Sequence, residues 1–414
     1  MFLERVRPPY HLALAYFGSI LYKHPSREIT VIAVTGTKGK STVTELIATI
    51  LEADGKKVAS LSTIQFKIGD DVRPNLFKMS LPGRFFLQHF LRQAVDAHCS
   101  HAIVEMTSEG ARQFRHRFVE MDALVFTNLS PEHIESHGSF EKYKAAKLSI
   151  VKQLELSAKQ PRYIISNIDD EHGADFLKAK VEEKLPYGLS SLTLHTLHKD
   201  GIGLIFKSGD EEATIRIPLV GLFNVYNTLA AITLTRALGV SLTSIELALR
   251  NLKPVRGRVE HFYSPKSASK QVTAIVDYAH TPDSLEQLYK AFKDVPKVCV
   301  LGNTGGGRDT WKRPEMASIA ERYCDSVILT NEDPYDENPR KIVEEMAKGI
   351  TDQSKLEIIM DRRLAIATAL ETAQDGGYVL ISGKGTDPYI MGAHGTKEPW
   401  SDAQVVQEEL AKLK

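Results

Sequence analysis

The sequence predicts an α/β protein made of two successive parallel sheets, each covered by helices and each the core of its own domain. Three observations carry this. From Ile29 onward the short apolar runs ITVIAV, KKVASLS, HAIVEM, ALVFTN and RYIISN alternate with segments long enough for helices, the rhythm of a parallel sheet with helical crossovers. Beyond about Pro254 the rhythm restarts with QVTAIVDYAH, KVCVLGN, SVILTNEDP, LEIIM and YVLISGKG. The chain, at 414 residues, also exceeds one ordinary core when a domain takes about 150 residues. The expected division is a helical segment over 1–28, a first α/β domain over 29–254 and a smaller, Rossmann-like α/β domain over 255–414.

Taken in order, the start MFLERVRPPYHLALAYFGSILYKHPS holds about a dozen apolar residues broken by His11, with no small-residue cleavage pattern. It reads as an amphipathic helix lying on the domain, too short and interrupted for a membrane span. The strand Ile29–Val34 runs into VTGTKGKST, and a helix opens near Ser41 and continues to about Asp54. A strand, a glycine loop and a helix in that order form a phosphate cradle. Gly36 and Gly39 let backbone N–H groups approach phosphate oxygens, Thr37, Lys38 and Thr42 line the loop, and the helix N-terminus adds partial positive charge. Lys40 reaches outer phosphates and the Ser41 hydroxyl suits a magnesium ion. Val34 stands where the common P-loop spelling has its first glycine, so this is a variant of that loop, and the first domain is expected to be a P-loop-type ATPase domain that binds a nucleoside triphosphate.

Between Pro186 and Pro218 the runs TLHTLH, GIGLIF and ATIRIPL alternate with period two, predicting a small antiparallel patch. Helical period returns over Asn224–Leu238 and Ser241–Leu252. Ligands of parallel sheets sit at the carboxyl ends of strands, which directs attention to the loops after Val34, Glu105, Asn128 and Asn167.

Composition excludes several classes. Lysine plus arginine equals aspartate plus glutamate at 52 each, which argues against a broad nucleic-acid or anionic-membrane surface. Cys99, Cys299 and Cys324 lie far apart, beside apolar runs and without metal-type spacing, and read as reduced core thiols of a cytoplasmic protein.

Two further features bear on chemistry. Glu105 closes a strand at the ligand end, where a carboxylate can hold magnesium, and His133 follows the next strand by a few residues, within reach of a second metal. In FEKYKAAKLSIVKQL, residues Tyr143, Ala146, Ile150, Val151 and Leu154 form one apolar stripe at 100° steps, with Lys147 inside it and Lys144 and Lys152 facing out. Lys147 either snorkels to solvent or is buried with a lowered pKa, open to modification or to a role in a site.

The segments GTKGKST, EMTS, TNLSPEHIESHG with YKAAK, SNIDDE, GLFNVYNTLAA, VRGRVE, VDYAHTPDSLE, GGGRDTWKRPEM, NEDPYDENP and ISGKGTD occur in the order found in Mur ligases. From Ile29 to the C-terminus the chain resembles that family, most of all its UDP-N-acetylmuramoyl-tripeptide synthetases. The resemblance implies an ATP-dependent ligase that adds an amino acid to a carboxylate of a peptidoglycan precursor through an acyl phosphate. It implies two magnesium sites, Ser41 with Glu105 and His133 with Lys147, the lysine being carbamylated. It places Asn224 and Asn227 on the adenine side, with Arg258, Asp277 and His280 closing over the nucleotide. Ser108 and Arg115 hold the carboxyl substrate, and Asp333, Lys384 and Asp387 line the amino-acid pocket.

The chain departs from the family pattern at named points. About 28 residues precede the first strand, so the uridine-nucleotide-binding domain is expected to be missing, with a partner protein as a candidate replacement, and the acceptor stays open between a UDP-linked and a simpler peptidyl carboxylate. Tyr335 stands where many relatives carry an arginine for the distal carboxylate of diaminopimelate, which disfavours that amino acid. GKGTD replaces GKGHE, and Thr107, Ser108 and Glu109 replace serine-serine-histidine. Two other readings are a ligase like folylpolyglutamate synthase, also without a uridine-binding domain, and a non-catalytic ATP-binding relative acting with a partner protein. Small-molecule substrates, no nucleic acid and no membrane span complete the expectation.

Overall fold

In the computed structural model, residues 2–413 are described apart from 78, 133, 210 and 308; for residues 2–8, 84 and 208 the description is of the backbone alone. The chain divides into two compact units, one of residues 1–218 with 223–252 and one of residues 219–222 with 253–414.

The first unit is built on an eight-stranded sheet. Its strands are β1 (Thr30–Thr35), β2 (Val58–Leu61), β3 (Gln65–Ile68), β4 (Asp71–Pro74), β5 (His101–Glu105), β6 (Ala123–Phe126), β7 (Tyr163–Asn167) and β8 (Glu183–Tyr187), in the spatial order β4-β3-β2-β5-β1-β6-β7-β8. β2, β5, β1, β6, β7 and β8 run parallel, so their carboxyl ends share one edge. β1 lies centrally and is buried from Val31 onward, as its run of apolar and β-branched residues requires of a strand covered on both faces. The register pairs Val34 with Glu105 and Thr35 with Phe126, which brings the loop after β1 level with the ends of β5 and β6.

Helices α1 (Phe2–Leu21), α2 (Lys40–Ala53), α3 (Arg84–Asp96), α4 (Ser108–Arg112), α5 (Ile134–His137) and α6 (Phe140–Glu155) follow in chain order. α2 buries Val43, Leu46, Ile47, Ile50 and Leu51, the i, i+3, i+4, i+7, i+8 stripe of a helix laid on a sheet. α6 is capped by Ser139, whose hydroxyl accepts from the Lys142 N–H. It then turns Tyr143, Lys147, Ile150, Val151 and Leu154 inward. A separate antiparallel sheet of β9 (Leu192–His198), β10 (Gly201–Ser208) and β11 (Glu211–Ile217) forms the patch that the alternating runs predict.

The second unit carries a six-stranded sheet of β12 (Glu260–Tyr263), β13 (Thr273–Asp277), β14 (Lys297–Leu301), β15 (Ser326–Leu329), β16 (Leu356–Ile358) and β17 (Tyr378–Ser382), ordered β12-β13-β17-β14-β15-β16 and parallel except at β12. Its core gathers Val276, Val300, Ile328, Ile366, Val379 and Ile381.

The parallel α/β class is therefore as predicted, and three details differ from the sequence reading. The hairpin β3–β4, turned at Gly69 with φ +57°, extends one edge of the first sheet antiparallel; β4 is exposed throughout and has no burial pattern to betray it. Cys299 and Cys324 are joined by a disulfide, with Cα atoms 6.1 Å apart. This corrects the expectation of three reduced thiols: the helical crossover after β14 returns the chain beside the strand it left, which a separation of 25 residues conceals. Cys99 is free and buried. The third difference concerns α1, which buries Ala15 and Ser19 towards the domain but is apolar on its outer face as well, where Tyr10, Tyr16, Phe17, Ile20 and Leu21 are exposed. Among the described residues no helix is long and apolar enough to cross a membrane.

Candidate active site

The loop between β1 and α2 is shaped by two crowded glycines. Gly36 has φ +150°, and a Cβ there would lie 1.9 Å from Thr127 Oγ1; Gly39 has φ +82°, and a Cβ there would lie 2.2 Å from Asn227 Oδ1. Neither position admits a side chain, so bare backbone lines the cradle. Side chains from the next strand end pin it. Lys38 N–H donates to Asn128 Oδ1 at 2.8 Å, and Thr127 Oγ1 donates to Lys38 O at 2.7 Å. Thr37 Oγ1 is 2.9 Å from the Tyr143 hydroxyl, and its N–H donates to Asn128 O at 2.8 Å. Lys38 Nζ pairs with Glu132 at 2.6 Å, and Lys40 Nζ donates to Thr37 O at 2.8 Å.

At the start of α2, the Ser41 hydroxyl donates to Glu105 Oε2 at 2.8 Å. Both side chains are buried. Thr63, just past β2, joins them: its Oγ1 is 2.8 Å from Ser41 Oγ, and its N–H donates to Glu105 Oε2 at 3.0 Å. Thr42 is buried beside them. A hydroxyl and a carboxylate at a helix N-terminus next to a backbone cradle suit a hard divalent cation accompanying a polyphosphate, so these residues fit a magnesium nucleotide. Among the described residues no group of three or more His, Cys, Asp or Glu could hold a metal by itself.

Lys147 is 1% exposed. Its ammonium donates to Gly36 O at 2.6 Å and lies 4.8 Å from the centre of the Tyr143 ring. Burial is the first cause holding its pKa well below the usual lysine range, and Lys40 is the second; Glu132 and Glu105 oppose them. Of the two readings left open for this lysine, the structure selects burial. Asn224 and Asn227 are buried on the helix Leu222–Ala237, and Asn227 Nδ2 donates to Asn224 Oδ1 at 2.9 Å. Through Asn227 this pair touches the loop at Gly39.

Ser108 is buried at the first turn of α4, where Thr107 caps the helix by accepting from the Gly110 N–H. Arg115 donates to Gln113 Oε1 at 2.7 Å, and its Nη1 is 3.7 Å from the Met79 sulfur. His133 lies outside the described residues.

In the second unit two groups form. Asp277 accepts from the Val259 and Ala279 N–H groups at 2.8 and 2.7 Å, His280 Nδ1 is 2.7 Å from Tyr278 O, and the Arg258 guanidinium lies 4.6 Å from the Tyr278 ring centre. Lys384, fully buried, donates to Asp333 Oδ1 at 2.7 Å and to Tyr389 O at 2.6 Å, with Asp387 at 3.7 Å. Tyr335 has φ +52°, and its N–H donates to Met391 O at 3.0 Å. Glu332, absent from the sequence reading, is buried beside this group with Oε2 unpartnered, and burial raises its pKa. Arg362 holds Asp402 with two bonds of 2.8 and 2.7 Å. The sequence reading also passed over Thr63, Thr127 and Asn128. For Asn128 the strand-end rule pointed at its loop, whereas nothing in the local sequence marks Thr63.

The Mur ligase middle domain matches residues 34–235, and the Mur ligase glutamate ligase domain matches residues 257–385. A UDP-N-acetylmuramoyl-L-alanyl-D-glutamate--2,6-diaminopimelate ligase of Syntrophomonas wolfei is 33% identical over 394 residues, covering 93% of this chain and 79% of its own. A UDP-N-acetylmuramyl-tripeptide synthetase of a Roseiflexus species is 36% identical over 429 residues, covering 98% and 83%. Among solved structures, a diaminopimelate ligase of the same kind superposes with a TM-score of 0.63 at 29% identity over 92% of this chain and 78% of its own. The folylpolyglutamate synthase of Mycobacterium tuberculosis superposes with a TM-score of 0.72 over 91% and 93%, at 15% identity, which shows a shared fold. Sequence identity over this span, two matched domains and the cradle geometry agree: the chain belongs to the Mur ligase family.

Proposed function

We propose that the protein is an ATP-dependent amide ligase that joins an amino acid to a carboxylate of a peptidoglycan precursor of the UDP-N-acetylmuramoyl-peptide type, releasing ADP and phosphate in the cytoplasm. The observation that carries this reading is Lys147, a lysine sealed beside a phosphate cradle with its pKa held low. Lowering its pKa makes the neutral, nucleophilic form of the amine more accessible. It takes up carbon dioxide as Lys–NH2 + CO2 → Lys–NH–CO2⁻ + H⁺, exchanging a cation that burial penalises for an anion suited to a metal. Ser41 and Glu105 serve one magnesium ion; the carbamate of Lys147, with His133, serves a second. Magnesium, when bound, neutralises charge on the phosphates and orients the transferred group.

The chain's own residues do the rest. The loop from Gly36 to Thr42 binds the triphosphate through backbone N–H groups, and Lys40 stabilises charge building on the γ-phosphoryl oxygens. Asn224 and Asn227 hold the adenine side; Arg258, Asp277 and His280 supply further nucleotide contacts. Ser108 and Arg115 orient the acceptor carboxylate, whose oxygen attacks the γ-phosphorus and displaces ADP to give an acyl phosphate. The amine of the amino acid, positioned by Asp333, Lys384 and Asp387, attacks the acyl carbon; the C–O bond breaks, phosphate leaves and the amine loses a proton. Tyr335 in place of an arginine favours an amino acid without a distal carboxylate, such as lysine.

The test is phosphate release from ATP with magnesium and bicarbonate, screening UDP-muramoyl-dipeptide and simpler peptidyl and folate acceptors against a panel of amino acids. Release requiring both an acceptor and one amino acid supports the ligase. ATP binding without release for any pair overturns it in favour of a non-catalytic relative.

A further inference from the structure

Among the described side chains, the outer face of α1 is largely solvent-exposed in a way that its composition does not allow for. Residues 10–22 read YHLALAYFGSILY, with no Asp, Glu, Lys or Arg. The inward side packs on α3: Ala15 and Ser19 are buried, and a Cβ on Gly18 would lie 3.0 Å from the Phe85 ring. The outward side presents Tyr10, Phe17, Ile20 and Leu21 at 56, 61, 45 and 65% exposure, with Ala13 also exposed and Tyr16, 48% exposed, edge-on to the Phe118 ring. A helix that is apolar on both faces is stable in water only when both are covered.

We infer that α1 pairs with α1 of a second copy of this chain across this outer face. Three arguments select that occupant. The exposed positions 10, 13, 17 and 20 are spaced 3, 4 and 3 apart, with 16 and 21 flanking them, and this is the seam by which one helix packs along another. The membrane surface is the weaker fit, because an interfacial helix carries lysines and arginines along its polar face, whereas the two arginines of α1, Arg5 and Arg7, both precede the exposed stripe and residues 10–22 hold no basic residue but His11. Area is the third. Five large side chains, each about half exposed, offer on the order of 500 Å² per copy, so a symmetric pair removes on the order of 1,000 Å², where specific interfaces begin. A two-fold axis lets the same stripe serve both sides, with Phe17 near the centre of the contact. The surface lies outside every residue assigned to the reaction.

The experiment is light-scattering mass and sedimentation velocity on the full chain from about 1 to 100 μM, with Phe17→Glu/Leu21→Glu and, as a milder variant, Ile20→Lys. Wild type is expected to approach the mass of two chains, and the double variant to raise the dissociation midpoint by at least about 100-fold while keeping its circular dichroism and melting temperature. Ile20→Lys gives an intermediate shift and decides the matter if the double variant misfolds. A single-chain mass for wild type across the whole range overturns the proposal. So does a monomer that instead floats with phosphatidylcholine–phosphatidylglycerol vesicles, since that assigns the face to a lipid surface.

Discussion

Two buried lysines, one in each unit, meet opposite fates. Lys384 is fully buried and neutralised: Asp333 lies 2.7 Å away and Asp387 3.7 Å. Lys147 is just as buried, yet among the described residues no carboxylate comes within 4 Å of its Nζ, and its hydrogen bond goes to the Gly36 carbonyl. Burial alone thus predicts nothing about role. A paired lysine stays a cation and organises a pocket; one with no carboxylate in direct contact gives up its proton more readily.

The largest effect expected from this contrast is at Lys147. Lys147→Ala should lower ligase turnover by about 1,000-fold, with nucleotide binding retained, if its carbamate supplies electrostatic stabilisation of the usual size. Arginine, always charged, cannot form the carbamate. Full activity in Lys147→Arg would therefore break the comparison, and a carbamate signal from ¹³C-bicarbonate in wild type, absent in both variants, would sharpen it.

Next comes the paired lysine. Lys384→Met should strand Asp333 and cost about 3–5 kcal/mol of stability by chemical denaturation. Adding Asp333→Leu should recover much of that loss. A single variant as stable as wild type would show that the pair contributes nothing.

The two units should also differ in pH response. In the first, His116 is buried and its pKa is pushed down to about 4 by that burial and by Arg117. Its unfolded form protonates first, so stability is full above about pH 6.5 and falls on acidification towards pH 4, by up to about 3 kcal/mol. In the second, burial raises the Glu332 pKa, so its contribution is present below the unfolded value and is lost as pH rises through the folded one. Trp311 and Trp400 both belong to the second unit, so tryptophan fluorescence reports that unit while circular dichroism reports both. Coincident pH profiles for His116→Gln and wild type would remove the first half of this contrast.

The smallest effect is expected at Thr63. Thr63→Val keeps the N–H bond to Glu105 and loses the hydroxyl, so magnesium half-saturation should rise about tenfold, equivalent to one hydrogen bond, with no change in melting temperature. Unchanged magnesium dependence would limit Thr63 to packing.

What was legible in the sequence follows the range of the interactions. The cradle is a local object: strand, Gly36, Gly39 and helix are contiguous, and their spacing states the chemistry. Lys147 was legible as an anomaly because helical period is also local, though its meaning needed the Gly36 carbonyl, 111 residues away. Thr63, Glu332 and Arg362 were invisible because each matters through partners set by sheet order. The disulfide was misread for the same reason, and the β3–β4 hairpin went unseen because an exposed edge strand has no buried face to impose a period.

The hydrogen bond from Lys147 to the Gly36 carbonyl outlasts a change in the chemistry of the side chain. A free amine makes it, and a carbamate nitrogen keeps one N–H with which to make it, so the loop is braced in both forms while only the carbamate offers oxygens to a metal. On the reading proposed above, the fraction of working molecules then tracks dissolved carbon dioxide, and a preparation dialysed into degassed buffer would behave as a dilute sample of a fully active enzyme, recovering with a lag once bicarbonate is restored.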